Sequence, residues 1–334
     1  MKRLILLLLI ATPTFAQSIA STNAGIVVAH HNQIQLFNAT GTDVVWTTDG
    51  VANPTSIVAG DDRVAILDAL SSDVRIVELA SGRGTTTKCG ETPLGGVFLG
   101  RALYLLERDA RALERIGADG ARASINIGAG PQFLSVAGNN LVVYSSREGR
   151  LQVITASPFA IAREMKIEPF AVDLAADEHY AYLAYPHKSR IDIVDLDKME
   201  RLGEQKAGSM PMDIQFLSNP TLLNARTLAV ADPPGHRVLL LEGKQGAAEA
   251  FARGFLHGLL GLSLYGSAAK LPAGVDTIVA REGHWVAYDS STNTLYRVAS
   301  HHTDVLATGI APHAFAVGDD AVYLWQNGTL VAKK

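Results

Sequence analysis

One cysteine, Cys89, occurs in the 334 residues, so no disulfide can form within the chain and stability has to come from buried apolar area. No His or Lys motif flanks it, and it reads as a small buried core residue rather than a reactive thiol. Long apolar runs are missing too. The run at 4–10 is far shorter than the roughly 20 residues a spanning helix needs, so no transmembrane segment is expected. Basic runs are absent, and 29 Lys and Arg stand against 33 Asp and Glu, which argues against nucleic acid as a general partner. There is no GxSxG elbow, HExxH pair or phosphate-cradling glycine loop.

The chain is 48% apolar and 19% charged, the composition of a globular protein with ample length for a large core. Its N-terminus has the form of a secretory signal peptide. Lys2 and Arg3 precede the apolar run, and a short segment ends in the small residue Ala16. Cleavage there would leave Gln17 first and move the net charge from −4 to −6, with the protein secreted or periplasmic. Residues 17–334 are expected to form one domain.

Residues 57–66, IVAGDDRVAI, recur without gaps as SVAGNNLVVY at 135–144 and FAVGDDAVYL at 315–324. Two β-rich runs joined by Gly and a pair of Asp or Asn residues have the composition of a tight hairpin. Pro54, Pro93, Pro131, Pro169, Pro211, Pro272 and Pro312 precede apolar runs at spacings of 39, 38, 38, 42, 61 and 40 residues. A period near 40 built of short strands, with no helical period between them, predicts an all-β fold, a β-propeller of four-stranded blades. In the unit after Pro54 the strands are expected at 56–59, 64–68, 74–79 and 85–89. Residues 18–28 lie over 56–66 and add a unit before Pro54. The preferred count is eight blades, the last with three recognisable strands. Seven blades remain open if the segment at 17–21 instead closes the last blade as an outer strand.

LAVADPPGHRVLLLE at 228–242 resembles the second and third strands of NHL and YVTN-type propeller repeats. Ala229, Val230, Ala231, Asp232, Arg237 and Val238 carry the likeness, and Asp68 and Asp289 keep the acid at the strand end. A second, local likeness is that of FNATGTDVVWTTDG at 37–50 to quinoprotein-type repeats of eight-bladed propellers, through Thr40, Gly41 and Trp46. The other units lack the Trp, and a lone Cys excludes a vicinal cysteine pair, so no quinone cofactor is expected.

Propellers gather ligands at the channel mouth, where the innermost strands begin. Gln132, Asp173, Asp213, Asp276 and His313, each near a unit-starting proline, are the candidate ligand-binding residues. Carboxylates and an imidazole converging there could bind a divalent cation or act as acid and base; the alternative is a wet channel lined by solvated polar groups. Among the ten histidines, His30 with His31 and His301 with His302 are adjacent. Neighbours on a strand point to opposite faces, so neither pair is expected to clasp one ion. His179, His187 and His236 belong to loops of different units, without zinc-type spacing.

The long interval after Pro211 contains AAEAFARGFLHGLLGLSLYG at 247–266. Phe251, Phe255, Leu259 and Leu262, with Leu256 beside them, predict a short amphipathic helix despite three glycines. It could pack on its own propeller, dock a protein partner through Phe251, Phe255, Leu256 and Leu259, or touch a membrane shallowly. Asn38 and Asn327 head N-x-T sequons. The sequence is read as a monomeric, non-enzymatic module that binds a protein or small ligand. The competing reading is a lactonase-like or lyase-type enzyme with a metal-dependent site at the channel mouth.

Overall fold

The computed structural model describes residues 17–217, 227–243, 268–271, 274–281, 284–299, 302–311, 314–318 and 320–333. The N-terminal segment 1–16, the 247–266 insertion with its expected helix, and His313 lie outside the described residues.

Eight antiparallel sheets follow one another along the chain, each a simple meander of neighbouring strands. The second blade shows the plan: Ser56–Ala59, Arg63–Asp68, Asp73–Glu78 and Gly84–Lys88 pair in order. These match the expected spans to within a residue or so. The hairpin between the first two strands is the recurring Gly-Asp-Asp element, closed in this blade by the Gly60 N–H on the Arg63 carbonyl at 2.9 Å. Asp61 and Asp62 are therefore turn residues.

The chain is an eight-bladed β-propeller. Seven blades have four strands, and the last has three among the described residues: Phe315–Val317, Val322–Gln326 and Thr329–Lys333. The seven-blade alternative fails on one strand. Gln17–Thr22 pairs with Gly25–His30 as the innermost strand of the first blade and does not join the last sheet.

Second strands are buried along their whole length because each blade is packed on both faces. In Arg63–Asp68, Val64 and Ile66 join the apolar cluster shared with blade 1, whereas Ala65 and Leu67 join the cluster shared with blade 3. Period-2 alternation thus sends successive side chains to two different interfaces. The ring closes in the same way: Ile26, Val28 and Phe37 of blade 1 pack on Tyr323 and Trp325 of blade 8, and the Tyr323 hydroxyl donates to the Ala39 carbonyl. Trp46 fills the blade 1–blade 2 interface with its indole N–H on the Leu79 carbonyl at 2.8 Å. That is ordinary interblade packing.

The acid ending the second strand is a clamp. Asp68 accepts the N–H of Asn53, from the chain leading into its blade, at 3.0 Å, and those of Leu70 and Ser71 at 3.0 and 3.1 Å. Asp232 does the same for Ser209 and Met210 and adds Arg237 Nε at 2.9 Å. Burial alone would raise the Asp232 carboxyl; the N–H donors and Arg237 overcome it and hold it below the usual carboxylate range.

Blade 3 places Glu107 at this position, 3% exposed and facing Glu114, itself 4% exposed. Both carboxylates reach the Gly90 N–H, and Arg122 pairs with Glu114 alone. Burial first, then the hydrogen bond to Glu114 and its charge, push Glu107 up to about 7. Cys89 beside them is buried as expected, its thiol pushed up to about 11 by burial and by these two acids.

The folded chain holds the Glu107 proton more tightly than the unfolded chain does. Its contribution to stability is complete below about pH 4.5 and is lost as pH rises through about 7. Glu107→Gln, which keeps an acceptor for Gly90 and a donor for Glu114, should abolish a loss of roughly 2–3 kcal/mol across that range. Urea titrations of both proteins at pH 4.5, 6 and 8 check this; equal pH slopes would refute it.

Candidate functional site

The inner strands present their free edges to the central channel. The backbone register identifies one equivalent position in every blade: the residue opposite the penultimate residue of the second strand. It is Ser18, Ser56, Gly95, Phe133, Asp173, Asp213, Thr277 and Ala314 in blades 1 to 8. The ring is therefore two-sided, with acids on blades 5 and 6 and small or neutral residues on blades 7, 8, 1, 2 and 3.

On the acidic side the carboxylates brace neighbouring blades. Asp173 accepts its own Leu174 N–H at 2.8 Å and, across the blade boundary, the Ile214 N–H at 2.6 Å. Asp213 repeats the move on the Ile278 N–H of blade 7 at 2.5 Å and takes Gln215 Nε2 at 3.1 Å. Desolvation, then the charge of the nearby Asp213 carboxylate and a hydrogen bond to it, raise Asp173 well above the ordinary range.

The other sequence candidates separate. Asp276 is half-buried and accepts from Thr277 Oγ1 at 3.1 Å and from the Ser290 hydroxyl. Gln132 is exposed at an irregularity where the register shifts between Pro131 and Phe133. The structure thus brings Asp173 and Asp213 into contact and turns Asp276 to a different set of partners.

Opposite the acids lies a cavity of about 720 Å³, lined by blades 7, 8, 1 and 2 with Leu94 of blade 3. The hydroxyls of Ser18, Ser56, Thr55, Thr277 and Ser290 alternate with apolar walls at Ile57, Leu94 and Phe315, and among the described residues no Asp, Glu, Lys or Arg lines it. A smaller cavity, about 300 Å³, sits at the opposite end among Asn23, Gly60 and Phe98. The hydroxyl-lined chamber escaped the sequence reading because small residues at hairpin starts carry no motif. The one signal available was the set of small side chains at the equivalent positions of blades 1 to 3.

The adjacent histidines His30 and His31 meet at a turn, not within a strand. His30 Nδ1 and His31 Nδ1 lie 2.9 Å apart, because His31 is a turn residue with φ of 50° and does not continue the strand. His179 and His187 fall in two turns of one blade, the fifth, and not in different units; they pair with Asp197 at 2.9 Å and Glu168 at 3.1 Å.

No family model matches the sequence, and no curated protein matches it either. Solved structures do. BamB from Moraxella catarrhalis is 11% identical with a TM-score of 0.60, over 94% of this chain and 94% of that one. A streptogramin B lyase is 11% identical with a TM-score of 0.59, over 83% of this chain and 91% of that one. Dihydro-heme d1 dehydrogenase NirN, in complex with DHE, is 10% identical with a TM-score of 0.62, over 88% of this chain and 66% of that one. At these identities the likeness is one of fold, shared by enzymes and by other proteins alike. No described helix is long and apolar enough to cross a membrane.

If the acids are braces, their substitution should act on stability. Asp213→Ala leaves the Ile278 N–H without its acceptor and should cost about 1–3 kcal/mol. Asp173→Asn keeps an oxygen for the Ile214 N–H but turns its amide towards the Leu174 N–H, so it should cost about 1 kcal/mol. Thermal unfolding of both variants checks this, and unchanged midpoints would refute the bracing role.

Proposed function

We propose that this chain is an exported propeller that acts as a binding module, holding a neutral ligand in the hydroxyl-lined chamber between blades 7 and 2. The observation that carries the reading is the two-sided channel. Asp173 and Asp213 are engaged with backbone N–H groups, the open space lies opposite them, and Asp276 behind the chamber wall is held by the Thr277 and Ser290 hydroxyls. Its volume falls within the roughly 300–1,000 Å³ of small-molecule sites, and hydroxyls set between apolar walls suit a ligand with hydroxyl or amide groups and no net charge.

Within the propellers, the reading sets this chain beside the NHL and YVTN-type repeats. Its support is the acid-ended second strand, which holds the chain leading into its blade at Asp68 and Asp232 and the turn that follows it at Asp289. Export rests on the composition of residues 1–16, and the exported protein should begin at Gln17. Edman sequencing or mass spectrometry of secreted or periplasmic material tests that assignment.

For the chamber, the protein from its native source is examined by native mass spectrometry beside Ser56→Phe, which fills the cavity from a strand edge. A bound small molecule released from the native protein and lost in Ser56→Phe, with an unchanged unfolding midpoint, is the expected result. Catalytic turnover abolished by Asp173→Ala or Asp213→Ala would overturn the binding-module reading in favour of a channel-mouth enzyme.

A further inference from the structure

The turn after the first blade's second strand brings together two metal-ligating atoms that sequence spacing alone would keep apart. His30 ends the strand Gly25–His30, and His31 turns left-handed at φ 50° before Gln33–Phe37 begins. That backbone rotation carries the His31 ring to the same side as His30. The rings sit edge to face, 78° between planes and 3.9 Å between centroids, with the two Nδ1 atoms 2.9 Å apart. His30 is half-buried with its ring 5.9 Å from that of Trp325, and His31 is exposed.

The two nitrogens are in hydrogen-bond contact, so small ring rotations bring both lone pairs within the roughly 2.0–2.1 Å reach of one ion. A site of imidazole nitrogens completed by water takes copper(II) more tightly than zinc(II) by the usual order of divalent affinities. We propose that His30 and His31 form a chelating pair for a divalent transition-metal ion of tetragonal preference, copper(II) above all, with water completing the coordination. Among the described residues no cluster of three or more metal-ligating side chains occurs, so the protein supplies these two nitrogens to the ion.

In the metal-free pair one Nδ1–H donates to the other Nδ1. Loading the ion moves that proton to Nε2 of the donating ring, which leaves both Nδ1 lone pairs on the metal and requires no net proton release from neutral rings.

The test is calorimetric titration of the purified chain with copper(II) and with zinc(II), in a non-coordinating buffer, joined to electron paramagnetic resonance of the copper-loaded protein. Expected are one copper equivalent with hyperfine coupling to two ring nitrogens and at least tenfold weaker zinc binding. His31→Asn, whose side chain tolerates the left-handed turn, should weaken copper at least tenfold, and His179→Ala should leave it unchanged. Unaltered copper affinity in His31→Asn, zinc as tight as copper, or a spectrum without that nitrogen coupling would each overturn the proposal.

Discussion

Everything in this molecule depends on the second strand of each blade being buried on both faces. A strand such as Arg63–Asp68 cannot hide its side chains within a single sheet, so each sheet needs a neighbour on either side. A row of such sheets satisfies that demand only by closing. The closing interface, blade 8 on blade 1, is made by packing of the same kind as the others, with Phe37 and Trp325 rings 6.0 Å apart, and no strand is exchanged to lock it. With Cys89 free and buried, the ring is held by apolar area and by polar clamps at the blade ends.

Closure leaves the inner edges of the sheets facing one another across a channel, and their outward N–H groups need acceptors. Blades 5 and 6 supply them from side chains: Asp173 and Asp213 each reach the next blade. The nearness of the Asp213 charge raises Asp173, and every carboxylate oxygen of the two still finds an N–H donor. Blades 7, 8, 1 and 2 place Thr277, Ala314, Ser18 and Ser56 at the equivalent positions, and there the channel widens. One backbone constraint, met in two ways, generates both the braced wall and the chamber.

Much of the architecture was legible because its signals are local. The proline period, the Gly-Asp-Asp hairpins and the short final unit each follow from residues within one blade, and they led to eight blades with strand limits nearly correct. The channel was not legible, since Ser18, Ser56 and Thr277 meet only after the ring closes. Asp173 and Asp213 were found as a pair of acids near unit starts, but their use as acceptors for Ile214 and Ile278 is a matter of register. The closeness of the His30 and His31 rings was not legible for a purely conformational reason: strand alternation separates neighbours, and one left-handed residue at His31 cancels it.

The end of the second strand shows where this repeat has room to diverge. In blades 2, 3, 6 and 7 that position is Asp68, Glu107, Asp232 and Asp289, and in blades 4 and 5 it is Ser145 and Tyr185; all six are buried. In blades 1 and 8 it is His30 and Gln326, and both are partly open to solvent. A clamp residue cannot vary without loosening the chain that leads into its blade, so polar groups free to meet a ligand should be sought where the clamp is absent. Those two blades flank the closing interface and line the chamber. The solvent-open second-strand ends of this propeller thereby lie on one side of its ring, where the channel is open and its lining, among the described residues, uncharged.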